Sequence, residues 1–364
     1  MRYDRFPVFR AGCLVIIAGI LAFSCSEEDK PTSPAGEWHW APLGAGMDSL
    51  SLVEATITYG GRLIAGGTFD SAGGIVVNHI AAWNGSSWAS FGSGMDGSVS
   101  AFAIYNNQLI AGGSFHTAGG TPANYIAAWN GSSWSPLGSG MNQAVWALTV
   151  YNGKLIAGGQ FTTAGGVNAK YIASWDGSAW SPLGSGTSAQ VHCLIEWGGV
   201  LVAGGWFWTA GGTTVRCIAG WNGSVWAPLS TGMTIAEKIG VYALTTWFDT
   251  LVAGGNFLYA GEVRVNHIAK TGANWEPMDS GMSASVLALT AFDGKLIAGG
   301  EFLVAGDVGV NHVAAWDGSS WASLGVGING LVFDLSVYGN QLIAAGMFST
   351  AGGKKASNIA AWRR

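Results

Sequence analysis

The chain has 364 residues, of which 58 are glycine, 49% hydrophobic and 10% charged, with a net charge of −5. A soluble domain averages about 25% charged residues and about 7% glycine, so this chain is too apolar for disorder and rich in tight turns. It has only 9 prolines, no Gly-X-Y period and no run of 18 apolar residues, which excludes collagen and a multispanning helical membrane protein, while its acidic balance argues against a nucleic-acid or anionic-lipid surface.

Residues 1–24 read as a signal peptide. Arg2, Arg5 and Arg10 precede the 13-residue apolar run Ala11 to Phe23, which is too short to span a bilayer as a stable helix. The following Leu21-Ala22-Phe23-Ser24-Cys25 resembles a relaxed bacterial lipobox, with Ala22 where leucine is usual. That resemblance implies lipidation at Cys25. Simple cleavage after a small-x-small tripeptide would also leave Cys25 first. Residues 25–36 read as a flexible tether, and its Ser26-Glu27-Glu28-Asp29 looks like an acidic surface-export tag. The expected location is the bacterial outer membrane or cell surface, held only by an N-terminal lipid, or otherwise the periplasm or the medium.

Residues 37–364 are one unit used seven times. The string L-I-A-G-G-x-F or a close variant starts at Leu63, Leu109, Leu155, Leu201, Leu251, Leu296 and Leu342, at spacings of 46, 46, 46, 50, 45 and 46. Such a period means a propeller or a solenoid. Asn152-Gly153 and Asn130-Gly131 read as two-residue type I′ turns, so the strands they join are antiparallel neighbours and a parallel β-helix is disfavoured. The third unit predicts an inner strand over Val145 to Tyr151 and a second from Leu155 to Phe161. A third follows around Ile172 to Trp175, and an outer strand starts at Trp180.

After Leu342 the chain ends at Arg364 without an outer strand, whereas Trp40-Ala41-Pro42-Leu43-Gly44 has the pattern of Trp134-Ser135-Pro136-Leu137-Gly138. The expected fold is all-β: a seven-bladed β-propeller of four-stranded antiparallel blades, closed by the N-terminal segment completing the last blade. The double glycine, the following aromatic and the later tryptophan are similar to Kelch-type propeller repeats. The fuller pattern F-x-x-A-G-G, N-x-I-A-x-W, S-W-x-P-L-G-x-G-M and V-x-A-L resembles repeats of fungal cortical polarity markers and bacterial secreted propellers. The resemblance implies fold and little about activity.

Seven equivalent environments in one chain separate packing from function. Phe69, Phe115, Phe161, Phe207, Phe257, Phe302 and Phe348 recur in every unit. Thirteen of the 19 tryptophans fill two repeat positions, one running from Trp83 to Trp362 and the other from Trp40 to Trp321, and read as blade packing. Thr271 breaks the first series, marking the fifth blade as a weak spot. Met47, Met95, Met141, Met233 and Met282 read as gap fillers. The glycine pairs lack the strand-to-helix context of a phosphate loop. His79, His267 and His312 share one position, placed on the third strand, where copies in neighbouring blades are too far apart to share a metal. Cys193 and Cys217 fall on strands too far apart for a disulfide. No metal and no cofactor is expected.

What varies is the residue after the valine that opens each inner strand: Glu54, Ser100, Trp146, His192, Tyr242, Leu287 and Phe333. In a propeller this point lies near a channel mouth. Trp206 and Trp208, two apart in a strand, point to one side. The longest loops, 48–52 and 234–240, belong to the same face. Trp146, His192, Trp206, Trp208 and Tyr242 are therefore the candidate ligand-binding residues, suited to stacking on a sugar or peptide. Idiosyncratic filling between blades is the alternative.

Catalysis has one thin candidate, Glu54 with Asp334, which replaces an alanine or cysteine of the other six units. No catalytic residue is assigned. The expected protein is a monomeric, non-catalytic envelope lipoprotein binding a glycan, peptide or envelope protein at the channel mouth. A structural subunit of an envelope assembly and a propeller hydrolase or lyase are the alternatives.

Overall fold

The structure, a computed structural model, describes residues 36–48, 50–234 and 240–364. The signal peptide, Cys25 and the tether up to residue 35 lie outside the described residues, as does most of the 234–240 loop. Gly36–Arg364 forms one compact unit.

That unit is a β-propeller with seven four-stranded antiparallel sheets among the described residues and no helix. The third blade runs Val145–Tyr151, Lys154–Gly159, Ile172–Trp175 and Trp180–Pro182, in spatial order. The second strand thus stops at Gly159, two residues short of Phe161, because the chain turns out of the ladder there. Asn152 and Gly153 both take positive φ, 47° and 71°, as a type I′ hairpin requires. The outer turn differs from the expected two-residue form. Four residues separate Trp129 from its partner Trp134, and only Gly131 has positive φ. The side chain holds this turn instead, with Asn130 Oδ1 accepting from the N–H groups of Ser132 and Ser133, both at 2.9 Å.

The seventh blade is built from both ends of the chain. His39–Pro42 pairs antiparallel with Ile359–Arg363, Trp40 opposite Trp362, and completes the sheet of Gln341–Met347 and Leu331–Tyr338. Trp38 stacks on Trp362 at 6.4 Å, and the Arg364 guanidinium lies 4.8 Å from the Trp38 ring.

The repeated tryptophans do more than fill space. Trp83, Trp129 and Trp175 each lie 5.3 Å from the cross-strand tryptophan of the second series. Second-series indoles also donate across blade interfaces: Trp88 Nε1 to the Leu43 carbonyl at 2.8 Å, Trp180 to Leu137 at 2.9 Å and Trp40 to Leu324 at 2.8 Å. At the other end of the inner strands the pattern repeats, with Tyr151 hydroxyl donating to Gly199 and Tyr338 to Gly61. Apolar burial and a hydrogen bond therefore fix the same interfaces.

The first glycine of each pair is there because neighbouring blades touch. A Cβ on Gly112 would lie 2.6 Å from Val145 Cγ1 and 3.3 Å from Leu148 Cδ1 of the next blade. The phenylalanine after each pair is buried in every blade. Between the second and third strands each blade carries an unforeseen hairpin of two short strands, such as Thr163–Ala164 with Val167–Asn168, joined in the fifth blade by Met233–Thr234 as a third strand. Its signal was the Ala-Gly-Gly triplet, whose glycines Gly165 and Gly166 take φ of 58° and 83°. A polar residue after the preceding glycine turn caps this hairpin in the third blade, Asn142 Oδ1 accepting from the N–H groups of Thr162 and Thr163, and Asp96 and Asn329 do the same in the second and seventh.

Candidate functional site

Every inner strand contains a β-bulge at its start. Val145 pairs with Gly159 and Ala147 with Gly158, leaving Trp146 without a partner, and the same shift occurs at Glu54, Ser100, His192, Tyr242, Leu287 and Phe333. A bulge frees one residue from the ladder and re-aims its side chain, so identity there is not dictated by sheet pairing. All seven freed residues line one cavity of about 260 Å³ on the channel axis.

Four of the five expected binding residues come together. His192 is their centre, 4.9 Å from Trp146 in a near-parallel stack, 4.9 Å from Trp206 and 5.5 Å edge-on from Tyr242. Trp206 Nε1 donates to the Tyr242 hydroxyl at 3.3 Å. Burial pushes the His192 imidazole down to about 4, so it is neutral near pH 7, and its Nε2 is buried without a hydrogen-bond partner among the described residues. Burial also raises the Tyr242 hydroxyl, opposed by the Trp206 hydrogen bond and reinforced by the nearby Glu301 charge.

Trp208 goes elsewhere. Val200–Gly205 ends before Trp206, so strand alternation does not relate the two tryptophans. Trp208 is 48% exposed, with the Arg216 guanidinium 5.7 Å from its ring. Residues 235–239 lie outside the described residues, but Gly240 is packed so closely on Trp206 and Tyr242 that a Cβ would fall within 2.7 Å of both rings.

The two carboxylates do not meet as an acid/base pair. Glu54 accepts from Ser100 Oγ at 2.7 Å in the second blade, whereas Asp334 accepts from the Thr56 N–H at 2.7 Å and from its hydroxyl. Burial raises both, Asp334 to about 6, against the opposing effect of these hydrogen bonds.

The shared histidine position is not on the third strand. His79, His267 and His312 immediately precede it, with φ of 69°, 73° and 68°, as do Tyr125, Tyr171, Cys217 and Asn358 in the other blades. The chain makes a left-handed step into the strand here, donating for example from His79 N–H to the Phe69 carbonyl at 2.7 Å. Among the described residues no group of three His, Cys, Asp or Glu side chains converges, and Cys193 and Cys217 are not disulfide-bonded.

Residues 53–194 match the family model of the Rax2 C-terminal beta propeller domain. The match takes in three blades and the first part of the opening strand of the fourth, Val191–Trp197, and the chain is a propeller similar to that domain. No curated protein sequence matches the chain. Among solved structures it is similar to the extracellular domain of a one-component system, BT4673, from B. thetaiotaomicron, with 11% identity and a TM-score of 0.60 over 90% of this chain. This chain spans 40% of that protein's length. The WD40 propeller of Doa1 gives 13% identity and a TM-score of 0.55, covering 90% of this chain and 96% of that one. The computationally designed Ika8 protein gives 15% and 0.53, covering 89% and 99%. At such identities these likenesses establish the propeller fold alone.

Proposed function

We propose that this protein is a non-catalytic, cell-envelope binding propeller that takes its ligand at the channel mouth. One observation carries the reading. The seven bulge residues differ in every blade, yet they line one cavity inside a scaffold that otherwise repeats. Release from the ladder lets these positions vary at little cost to the fold. Concave sites with aromatic walls and a few polar groups favour ligand binding, here of a glycan, a peptide or a segment of an envelope protein. Binding fits the carboxylates better than hydrolysis does, because Asp334 is engaged by Thr56 and Glu54 by Ser100.

The test is a glycan and peptide array probed with the purified mature chain, beside Trp146→Ala and Trp208→Ala. Binding lost with Trp146 and retained with Trp208 is the expected outcome; binding indifferent to Trp146 would remove the channel mouth as the site. Export is supported by the N-terminal sequence pattern and by the likeness to an extracellular domain. Anchoring through Cys25 is checked by labelling cells with an alkynyl fatty acid, which Cys25→Ser should leave unincorporated.

A further inference from the structure

The cavity wall is chemically two-sided. Among the described residues Glu54 and Asp334, from adjoining blades, are its only charged residues, and no lysine or arginine lines it. The Glu54 carboxylate receives a single hydrogen bond among the described residues, from Ser100 Oγ, although a carboxylate can accept about four. Burial acting on both groups raises their pKa values, as expected where no cation compensates them. The other bulge residues on the wall are Ser100, Trp146, neutral His192, Tyr242, Leu287 and Phe333.

We infer that the channel mouth takes a primary alkylammonium group on an unbranched apolar stem, the ammonium on Glu54 and the stem against Trp146. An anion would face two carboxylates with no counter-charge among the described residues. An alkylammonium meets both walls: its charge pairs with the half-buried carboxylate, and the electron-rich indole face attracts the cation and its polarised methylenes. The volume of about 260 Å³ suits one such side chain or a small free amine. Neutral His192 imposes no repulsion.

This inference rests on the channel mouth being the binding site. Titration calorimetry with n-pentylamine, 1-pentanol and a lysine-containing peptide separates the two ideas. The amine should bind one to one, at least about tenfold tighter than the alcohol, and Glu54→Gln and Trp146→Ala should each weaken it about tenfold or more. Glu196→Gln, an exposed acid on the fourth inner strand, should leave it unchanged. A peptide tighter than the free amine identifies a protein source, and the reverse identifies a small amine. Equal binding of alcohol and amine, or unchanged binding in Glu54→Gln, overturns the cation assignment. If neither probe binds while a Trp146-dependent array signal is present, the site stands and the ligand class falls. Silence in both experiments removes both.

Discussion

The carboxylate of Asp334, on the last inner strand, accepts hydrogen bonds from both the backbone N–H and the hydroxyl of Thr56, on the first. Thr56 Oγ1 also lies 2.6 Å from Ser336 Oγ. At the six other blade interfaces the place of Asp334 is held by alanine or Cys193, and that of Thr56 by leucine or Phe102. The paired position in the second strand changes too: Ala345 lies opposite Asp334, where Gly66 lies opposite Ala55. The last and first blades therefore meet through a polar seam.

Asp334→Asn should stabilise the propeller near neutrality. The folded carboxyl titrates at about 6 and the unfolded one near 4, so the native state binds more protons between these values. Wild-type stability then falls as pH rises through that window and stays lower above it. Asparagine keeps an acceptor for Thr56 without the charge. The gap in unfolding free energy between variant and wild type should widen from pH 4 to pH 7 by about 2–3 kcal/mol. A gap independent of pH in denaturant titrations would contradict this.

Thr56→Leu alone should cost about 2–4 kcal/mol, since it removes the hydroxyl that donates to Asp334, leaving only the backbone N–H, and crowds Ala345. Adding Asp334→Ala and Ala345→Gly recreates the seam of the other six interfaces. Most of the loss should return, an interaction that a double- and triple-mutant cycle in urea would measure.

Gly112→Ala tests the opposite situation. Its new Cβ would lie 2.6 Å from Val145 Cγ1, with φ in the ordinary strand region, so the cost is one of overpacking. A loss of about 1–3 kcal/mol is expected, with blades two and three moved apart enough to raise amide exchange along Val145–Tyr151. Exchange unchanged along that strand would count against blade contact as the reason for the glycine.

Trp40 reports on ring closure. Trp40→Ala should cost about 3–5 kcal/mol, and Trp40→Phe, which keeps most of the ring but loses the hydrogen bond to Leu324, about 1 kcal/mol. Deleting residues 37–44 leaves Ile359–Arg363 as an open edge and should abolish cooperative melting. Unchanged melting of the truncated chain would refute closure by this strand.

Much of this was legible in the residues. The 46-residue period, the Asn-Gly turns and the displaced Trp40 segment define blades, strand order and closure, because each depends on local chemistry repeated seven times. The tryptophans were legible as packing but not as donors, since the accepting carbonyl of Leu137 lies 43 residues from Trp180. The histidine position was misplaced because the left-handed step before the third strand is taken by His, Tyr, Cys and Asn alike, with no glycine among them to mark it.

By itself the sequence determined a repeated antiparallel fold whose free positions follow the first valine of each inner strand. Only the tertiary structure decided what those positions do. A bulge breaks the two-residue alternation that would otherwise tell which way a side chain points, and it turns all seven into the channel. The same holds for Trp206 and Trp208. Lying past the strand end, they are placed by what each meets, His192 and Tyr242 for one and Arg216 for the other. Contacts between blades arise from ring closure, and no local pattern encodes them.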